Sequence, residues 1–415
     1  MAGLLGRGLC FYGVMAEQTL TIDSIQDWSE AVYKDLHQHP ELSMQEVRTR
    51  RRICEELEAM GIDPIEIGGG VVGTIERGEG PTVLMRADFD ALPVREETGL
   101  PYASTSEVLD ADGQKVPVMH ACGHDLHTAS LLAAGRLLSG AGKEWSGTVH
   151  LLFQPGEETA EGAASMVADG LTSKITPPDV VFSQHVICGD TPTGSVALRP
   201  GAFMSTATNA EITFYGVGSH GSMPHLSVDP ILMASSAVMR MQGIVAREVN
   251  PNEFGVVTVG VISGGLKPNV IPESCTLQLN VRAYSDQVRE QILQAIERIA
   301  VAETHASGGK KMPDITCYQS YPLTKNDDAV TDRVARAFRD AFGSERVLES
   351  EPLTASEDFS VIADAFGAPY CYWVLGGAEA GVSVPNHNPH FAPQMQPTLR
   401  TGAEALVAAA LEFLD

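Results

Sequence analysis

The sequence predicts an α/β fold in which a mixed sheet, covered by helices on both faces, carries a smaller inserted α+β domain. Continuous apolar runs alternate with helical patterns in the first half of the chain, which is typical of strands buried on both faces of a sheet. After residue 203 the strands alternate in hydrophobicity, and near residue 313 the first pattern resumes. At about 100–200 residues per domain, 415 residues accommodate two or three domains.

Two helices are predicted at the start of the fold. The first is expected behind Ser24 as N-cap, because four apolar residues recur at helical spacing: Ile25, Trp28, Val32 and Leu36. Ser43 and Glu46 have the spacing of a capping box, which predicts the start of the second helix, and Gly61 predicts its end.

Three apolar runs predict buried strands of the main sheet, at residues 82–85, 148–153 and 180–182. A run rich in Ala and Leu over residues 128–138 predicts a helix between the first two. In the last part of the chain we expect a helix behind Asp327, a strand over residues 370–374, and a final helix from Thr401.

The middle of the chain predicts a ferredoxin-like α+β unit of order β-α-β-β-α. Asp229-Pro230 and Asp286 are expected to begin its two helices. Its strands are expected at residues 210–215, 254–262 and 276–283.

These patterns predict the division of the chain into domains. Residues 1–202 and 313–415 are expected to form the main domain, and residues 203–312 the inserted one. A secretory signal is disfavoured at residues 1–14, because glycines and Arg7 interrupt the apolar patch that such a signal needs. These residues are instead expected to be a poorly ordered leader, with Met15 as an alternative start.

Composition excludes several classes of partner. A net charge of −25 argues against nucleic acid and anionic lipid as partners, since both bind through clustered cations. No run approaches the roughly 20 apolar residues of a membrane span. Seven scattered cysteines are typical of reduced thiols, so we expect a cytoplasmic protein.

Side chains that bind metals gather where the predicted strands end. Asp88 and Asp90 follow the first strand, Glu157 and Glu158 the second, and His185 the third. The segment His120-Ala121-Cys122-Gly123-His124-Asp125 precedes a predicted helix. Because the functional crevice of an open α/β sheet lies at the carboxyl ends of its strands, we expect these side chains to meet there. Thiolate, imidazole and carboxylate together indicate zinc or a related divalent ion.

Adjacent carboxylates at Glu157 and Glu158 can take different roles. One can bind a metal ion while the other accepts a proton from the attacking water, the minimal requirement for metal-assisted hydrolysis. An acidic pair at a helix start can also serve only to complement the helix dipole.

Cys122 and His185 allow several interpretations. Cys122 is a metal ligand, a small buried apolar residue, or a thiol nucleophile assisted by a histidine. His185 is a ligand or a hydrogen-bonded core histidine. The surrounding acids and imidazoles favour a cation over a thiolate nucleophile.

Eight short motifs follow one another along the chain. They start at residues 86 (Arg-Ala-Asp-Phe-Asp-Ala-Leu-Pro), 119 (Met-His-Ala-Cys-Gly-His-Asp), 154 (Gln-Pro-Gly-Glu-Glu), 219 (Ser-His-Gly), 224 (Pro-His), 269 (Asn-Val-Ile-Pro), 356 (Ser-Glu-Asp-Phe) and 387 (His-Asn-Pro). These motifs resemble those of the aminoacylase/carboxypeptidase family of di-metal peptidases, and in particular the amidohydrolase branch that includes hippurate hydrolase and indole-acetyl-amino-acid hydrolase. The similarity runs in order from about Asp35 to the C-terminus.

The resemblance implies two divalent ions, Mn²⁺ or Zn²⁺, between a catalytic domain and an inserted lid domain. Cys122 resembles the ligand that bridges the ions, and Glu157 resembles the general base. Asp88 matches an acidic residue that orients a ligand. The terminal ligands are matched by His124, Glu158, His185 and His387.

The resemblance also implies roles for the inserted domain, which makes the homodimer in relatives. His220 and Asn269 match residues that approach the scissile carbonyl, with His220 reaching the neighbouring subunit to stabilise the oxyanion. His225 lies in the same lid segment and is expected to contact substrate. Arg282 matches a position linked to the substrate carboxylate.

Two departures from the family pattern concern these residues. Leu279-Asn280-Val281 precede Arg282 where relatives often have Gly-Thr, which affects the reach of the guanidinium. The acidic residues that usually follow His387 are absent, and His390 is a rival ligand three positions on.

The sequence thus predicts a metal-dependent hydrolase that cleaves the amide of small-molecule N-acyl amino acids. The alternatives are a metallo-dipeptidase or carboxypeptidase on the same scaffold, a hydrolase with Cys122 as nucleophile, and a metal-dependent binding protein. A deaminase-type zinc site is disfavoured, because no Pro-Cys-x-x-Cys follows a His-x-Glu.

Overall fold

The computed structural model describes residues 20–110, 113–140 and 144–414; the expected leader and the question of Met15 lie outside these residues. A large mixed sheet forms the main domain, as predicted. Its eight strands lie in this order: Ile65–Ile67, Gly70–Arg77, Gly147–Gln154, Thr82–Asp88, Val180–Pro192, Tyr370–Ala378, Val196–Leu198 and Val347–Glu349.

The central strands Thr82–Asp88 and Tyr370–Ala378 are buried along their whole length because helices cover both faces of the sheet. Val83 and Met85 pack into one core and Leu84 into another. The helices on the first side are Ile22–Gln38, Val47–Ala59, His124–Ser139, Asp328–Phe342 and Met395–Phe413. Those on the second side are Gly162–Ala168, Leu171–Lys174 and Ser360–Phe366.

Several predicted helix starts were wrong. Thr21, not Ser24, caps the first helix, and the two side chains form a capping box. Ser43 does not cap the second helix; its hydroxyl donates to the Asp90 carboxylate at 2.7 Å. The Glu46 carboxylate accepts instead from the Gly156 N–H at 2.8 Å. Residues with the spacing of a local cap therefore connect this helix to the candidate site.

Other helices also begin earlier than expected. The helix predicted over residues 128–138 begins at His124, and the one predicted from Thr401 begins at Met395. Ser285 caps the helix that was expected behind Asp286. The N-caps predicted at Asp229 and Asp327 are confirmed.

The inserted segment forms an antiparallel four-stranded sheet of order Gly255–Gly264, Ser274–Ala283, Thr206–Tyr215 and Asp314–Tyr321. The helices Pro230–Arg247 and Asp286–Ala306 pack against it.

The strand Asp314–Tyr321 continues this sheet beyond the expected boundary at residue 312. Its sequence gives no alternation, because only Ile315 and Tyr321 are even partly buried. We therefore propose that the inserted domain spans residues 203–321.

Three short pairs and two 3-10 turns complete the secondary structure. Ser219–His220 pairs with Val270–Ile271, Gly201–Met204 with Thr324–Asn326, and Glu107–Leu109 with Lys115–Pro117. The turns are Pro224–Leu226 and Ser344–Arg346. Within the described ranges, none of the helices combines the length and the apolarity that a bilayer crossing demands.

Candidate metal centre

The candidate centre lies where parallel strands of the main sheet end. Thr82–Asp88 lies between Gly147–Gln154 and Val180–Pro192 and runs parallel to both, so the strands share one carboxyl edge. Glu157 and Glu158 follow one of these strands, and Cys122 precedes the helix His124–Ser139. His185 lies inside a strand rather than after one, because Val180–Pro192 extends past the predicted end at residue 182.

Five predicted ligand residues converge there in two groups. The ligand atoms of Cys122, His124 and His185 lie within 4.8 Å of one another, and so do those of Cys122, Glu158 and His387. The Cys122 Sγ atom is 3.4 Å from His185 Nε2, and His387 Nε2 is 3.3 Å from Glu158 Oε1. The two groups share one sulfur, which is the arrangement that a bridged pair of ions needs.

Hydrogen bonds orient the imidazoles towards the centre. Asp90 Oδ1 lies 3.0 Å from His124 Nδ1, and the Val186 carbonyl lies 2.9 Å from His185 Nδ1. Each contact leaves the Nε2 atom facing the other ligands, as second-sphere partners of metal-binding histidines do. Asp90 also accepts from the Glu158 N–H at 3.0 Å, so one carboxylate positions two candidate ligands.

Two buried atoms in the centre have no hydrogen-bond partner among the described residues. They are His124 Nε2 and Glu158 Oε1, which lie 3.9 Å apart; His387 Nε2 approaches Glu158 Oε1 to 3.3 Å but does not form a hydrogen bond with it. Buried polar atoms are nearly always paired, so two unpaired atoms that face each other indicate a bound water or ion. A neutral imidazole nitrogen and a carboxylate oxygen are both good ligands for a divalent cation, and the residues present therefore fit a metal.

The turn that carries Cys122 requires a glycine. Gly123 has φ of +84°, and a Cβ there would lie 2.3 Å from the side chain of Val186. Burial raises the pKa of the Cys122 thiol, and the nearby Glu158 raises it further. A neutral thiol is a poor nucleophile, whereas a bound cation deprotonates it. The environment of Cys122 therefore favours a metal ligand over a nucleophile.

Asp88 acts on the centre through a histidine that the sequence analysis did not select. Its Oδ1 lies 2.6 Å from His127 Nδ1, and His127 Nε2 accepts from the Val186 N–H at 2.8 Å. The His127 and His185 rings pack with their centroids 4.6 Å apart. The spacing of three residues between His124 and His127 on one helix was the available signal.

Glu157 is buried beside other acids. Its carboxylate and those of Glu357 and Asp358 have oxygens within 4.8 Å of one another. Burial raises the pKa of Glu157 well above its usual value, and Glu357 and Glu158 raise it further. A carboxylate with a raised pKa accepts a proton readily near neutral pH, which suits a general base.

One guanidinium offsets the acids around Glu157. Arg86 donates from Nη2 to Glu357 Oε1 at 2.8 Å and from Nη1 to Asp88 Oδ2 at 2.6 Å. Glu357 and Asp358 belong to a motif that the sequence analysis quoted without assigning a role. Their contacts with Arg86 and their proximity to Glu157 place this motif beside the centre.

A cavity of about 460 Å³ joins the centre to the inserted domain. Arg282 lines it, and its Nη1 group donates to the Thr354 carbonyl at 2.6 Å. The other cavity residues between positions 203 and 321 are Met204, Ala207, Asn209, Asn280, Gln319 and Tyr321.

Three predicted lid residues do not line this cavity within the single chain: His220, His225 and Asn269. The exposed His220 ring contacts the Ser222 hydroxyl at 2.7 Å. The rival ligand His390 also lies apart, with its Nδ1 atom 2.9 Å from the Glu97 carbonyl. The structure therefore places His387, and not His390, with the other candidate ligands.

Residues 84–412 match peptidase family M20/M25/M40. The chain belongs to this family. The resemblance to di-metal peptidases and amidohydrolases is therefore confirmed, and the chain is a hydrolase of this family.

Relatives of this M20 chain cover most of its length. An N-acetyl-L-cysteine deacetylase of Bacillus subtilis is 36% identical over 349 residues, 83% of this chain and 80% of the relative. The hippurate hydrolase of Campylobacter jejuni is 34% identical over 84% of this chain and 88% of its own. Thermostable carboxypeptidase 1 of Saccharolobus solfataricus is 34% identical over 94% and 97%, respectively.

A solved structure agrees with the fold. A dinuclear metal-binding peptidase of the M20 family from Bacillus subtilis is 26% identical, with a TM-score of 0.76 over 94% of this chain and 99% of its own. The prediction of a catalytic α/β domain with an inserted lid domain is thereby confirmed.

Proposed function

We propose that this chain is a di-metal amidohydrolase that cleaves N-acyl amino acids to a carboxylic acid and an amino acid. The observation that carries the proposal is the pair of ligand groups that share Cys122 beside the spare carboxylate of Glu157. Relatives named as a deacetylase of N-acetyl-L-cysteine and as a hippurate hydrolase support it, since both names describe the cleavage of such amides.

We assign Cys122, His124 and His185 to one ion, and Cys122, Glu158 and His387 to the other. Thiolate and imidazole favour Zn²⁺, and the carboxylate also suits Mn²⁺. When bound, the ions would polarise the scissile carbonyl and make water nucleophilic at neutral pH.

Glu157 is the proposed proton carrier. Its carboxylate takes a proton from the attacking water as the oxygen bonds to the carbonyl carbon, and gives it to the nitrogen as the C–N bond breaks. Because the pKa of Glu157 is raised by burial and by neighbouring acids, it can hold the proton between the two steps. Arg86 keeps Glu357 and Asp358 in place behind it.

The two walls of the cavity suggest how a substrate is oriented. Arg282 supplies a positive charge for the substrate carboxylate, at the inserted-domain side of the cavity. Apolar residues supply a surface for the acyl group: Ile187, Met204, Leu353 and Ala355. The scissile amide would then lie near the candidate metal ligands.

We also propose that the chain forms a homodimer through the inserted domain. The strand Gly255–Gly264 lies at the edge of its sheet with an unpaired side, and an exposed apolar edge strand favours pairing with another chain. Val261, Ile262 and Leu266 on and beside this edge are exposed. A dimer would account for His220, which we propose acts with Asn269 and His225 at the neighbouring subunit's centre.

Free thiols support the proposal of a cytoplasmic location. Six cysteines fall within the described residues, and all are unpaired. Four of them are buried, namely Cys122, Cys188, Cys275 and Cys371. Unpaired cysteines are typical of proteins in reducing compartments such as the cytoplasm.

A carboxypeptidase is the second candidate. The similarity to thermostable carboxypeptidase 1 covers 94% of this chain. The C-terminal bond of a peptide is also an amide next to a free carboxylate, so the same residues could hydrolyse it. Turnover of N-benzoyl amino acids without turnover of N-blocked dipeptides would favour the amidohydrolase.

Chelation separates the metal-dependent hypotheses from the thiol hypothesis. We expect EDTA to abolish hydrolysis of N-acetyl and N-benzoyl amino acids, and Zn²⁺ or Mn²⁺ to restore it. Activity that survived chelation would favour Cys122 as a nucleophile. A protein that bound metal but hydrolysed none of these amides or peptides would instead be a binding protein.

Glu157→Gln tests the proposed base directly. The amide cannot accept the proton, so we expect turnover to fall by a factor of about 10²–10⁴ while metal content stays near normal. Glu161→Gln is a matched control, because Glu161 is exposed and lies four residues away. A Glu157→Gln variant with most of its turnover would show that Glu157 is not the base.

A further inference from the structure

A row of polar side chains crosses three adjacent strands of the inserted sheet and lines the cavity. Arg282 Nε donates to Asn280 Oδ1 at 3.0 Å, Asn280 Nδ2 donates to Asn209 Oδ1 at 2.8 Å, and Asn209 Nδ2 donates to Gln319 Oε1 at 2.9 Å. We call Asn280, Asn209 and Gln319 the amide row. Asn209 and Asn280 are direct partners in the strand register, so the sheet itself aligns them.

Arg282 fixes the direction of every bond in the amide row. A guanidinium has donors and no acceptor, so Asn280 must present its oxygen to it and its nitrogen to Asn209. Asn209 must then present its nitrogen to Gln319. Each amide oxygen therefore accepts one hydrogen bond within the row, and each amide nitrogen keeps at least one N–H that the row does not use.

Two donor groups at the ends of the row are free. The Gln319 amide nitrogen has no hydrogen-bond partner in the part of the chain that the structure describes. Arg282 Nη1 donates to Thr354 and Ser356, whereas its Nη2 has no partner among those residues either. Arg282 Nη2 is thus available for the α-carboxylate of the substrate, as proposed above, and the amide row offers the cavity further N–H groups.

A strained bulge sets the position of Gln319. The register shifts so that Thr208 faces Ser320 and Asn209 faces Tyr318, which leaves Gln319 as the extra residue. Its φ of +45° lies in the left-handed region, which is strained for a residue with a side chain. Bulges next to active sites commonly re-aim a side chain. Here the bulge places the last amide of the row against Asn209.

We propose that the amide row selects N-acyl amino acids with a side-chain carboxylate, such as N-acyl glutamate or aspartate. This inference rests on the proposed amidohydrolase function. A carboxylate is the best acceptor for the unpaired N–H groups, because a hydrogen bond to a charged oxygen is stronger than one to a neutral oxygen. A carboxamide offers only a neutral oxygen to the same donors, and an apolar side chain leaves them unpaired.

Three substrates of similar size test the inference in the metal-loaded enzyme: N-acetyl-glutamate, N-acetyl-glutamine and N-acetyl-methionine. We expect kcat/KM to be about tenfold or more higher for the glutamate compound than for the other two, as one hydrogen bond to a charged group predicts. Equal or lower kcat/KM for the glutamate compound would overturn the inference and leave the amidohydrolase intact. Failure to hydrolyse any N-acyl amino acid would refute the proposed function as well.

Gln319→Gly separates selectivity from folding. Glycine removes the terminal donors and also tolerates the left-handed backbone, so we expect an unchanged or higher melting temperature. The ratio of kcat/KM for N-acetyl-glutamate to that for N-acetyl-methionine should fall about tenfold. Thr316→Val is the control, because Thr316 is exposed on the same strand and does not line the cavity. A glycine variant that kept the wild-type ratio would show that the amide row does not select the substrate.

Discussion

Arg86→Met tests whether one buried guanidinium holds the acidic groups beside Glu157 in place. The Arg86 side chain is fully buried and donates to Asp88, Glu357 and Gln154 at 2.6, 2.8 and 2.9 Å. Methionine keeps most of the packing but removes the positive charge. Breaking a buried ion pair at one partner costs about 3–5 kcal/mol, because the other charge stays buried. We expect the free energy of unfolding to fall by about this amount at neutral pH.

The loss should depend on pH in a defined direction. Burial by itself raises the pKa of Asp88, but Arg86 outweighs it and holds that pKa well below its usual value. A depressed pKa contributes stability above the unfolded value of about 3.9, and that contribution is lost as the pH falls through the folded value. Without Arg86 this contribution disappears. The difference between variant and wild type should therefore be largest near pH 7 and shrink below about pH 4.

Urea denaturation followed by circular dichroism measures both effects, with EDTA present throughout so that metal release contributes nothing. Arg298→Met is the control, because Arg298 pairs with Glu248 at an exposed site and its loss should cost about 1 kcal/mol or less. A cost for Arg86→Met no larger than that of the control would refute the reasoning. So would a cost that did not shrink between pH 4 and about pH 2.

Two further predictions concern histidines. Burial opposes the charge on His37, but Asp125 and Glu96 raise its pKa to about 10. The stability that the charged His37 adds is complete below about pH 6.5 and is lost as the pH rises towards 10. His37→Gln should therefore flatten the decline of the free energy of unfolding between pH 6.5 and 10. An equally steep decline in the variant would contradict this. His387→Ala should reduce bound metal from two ions towards one, whereas His390→Ala should leave both, as measured by elemental analysis of the purified proteins; metal loss in the His390 variant would reverse the ligand assignment.

Buried strands were the most predictable part of the fold. Runs such as residues 82–85 are apolar throughout because both sheet faces are covered, and that signal needs no knowledge of tertiary contacts. Asp314–Tyr321 was missed because most of its residues are exposed. Ser43 and Glu46 satisfied a local capping pattern, yet distant partners, Asp90 and Gly156, took their hydrogen bonds.

The candidate site was predictable to the extent that its residues form motifs. Cys122 and His124 stand in one short segment, and the family resemblance gave each a position. His127 lay outside the quoted motif, although it contacts Asp88 at 2.6 Å. The amide row could not be predicted, because Asn209 and Gln319 are 110 positions apart and come together only through a bulged strand pair.

The Tyr321 hydroxyl donates to the backbone carbonyl of Glu157 at 3.1 Å. Tyr321 belongs to the inserted sheet, whereas Glu157 belongs to the main domain, so this bond joins the inserted sheet directly to the backbone of the proposed base. Any rotation of the inserted sheet that carried Tyr321 away would release that carbonyl at the same moment as it widened the cavity. Admission of a new substrate and relaxation of the peptide that bears the proton carrier would then be a single mechanical event.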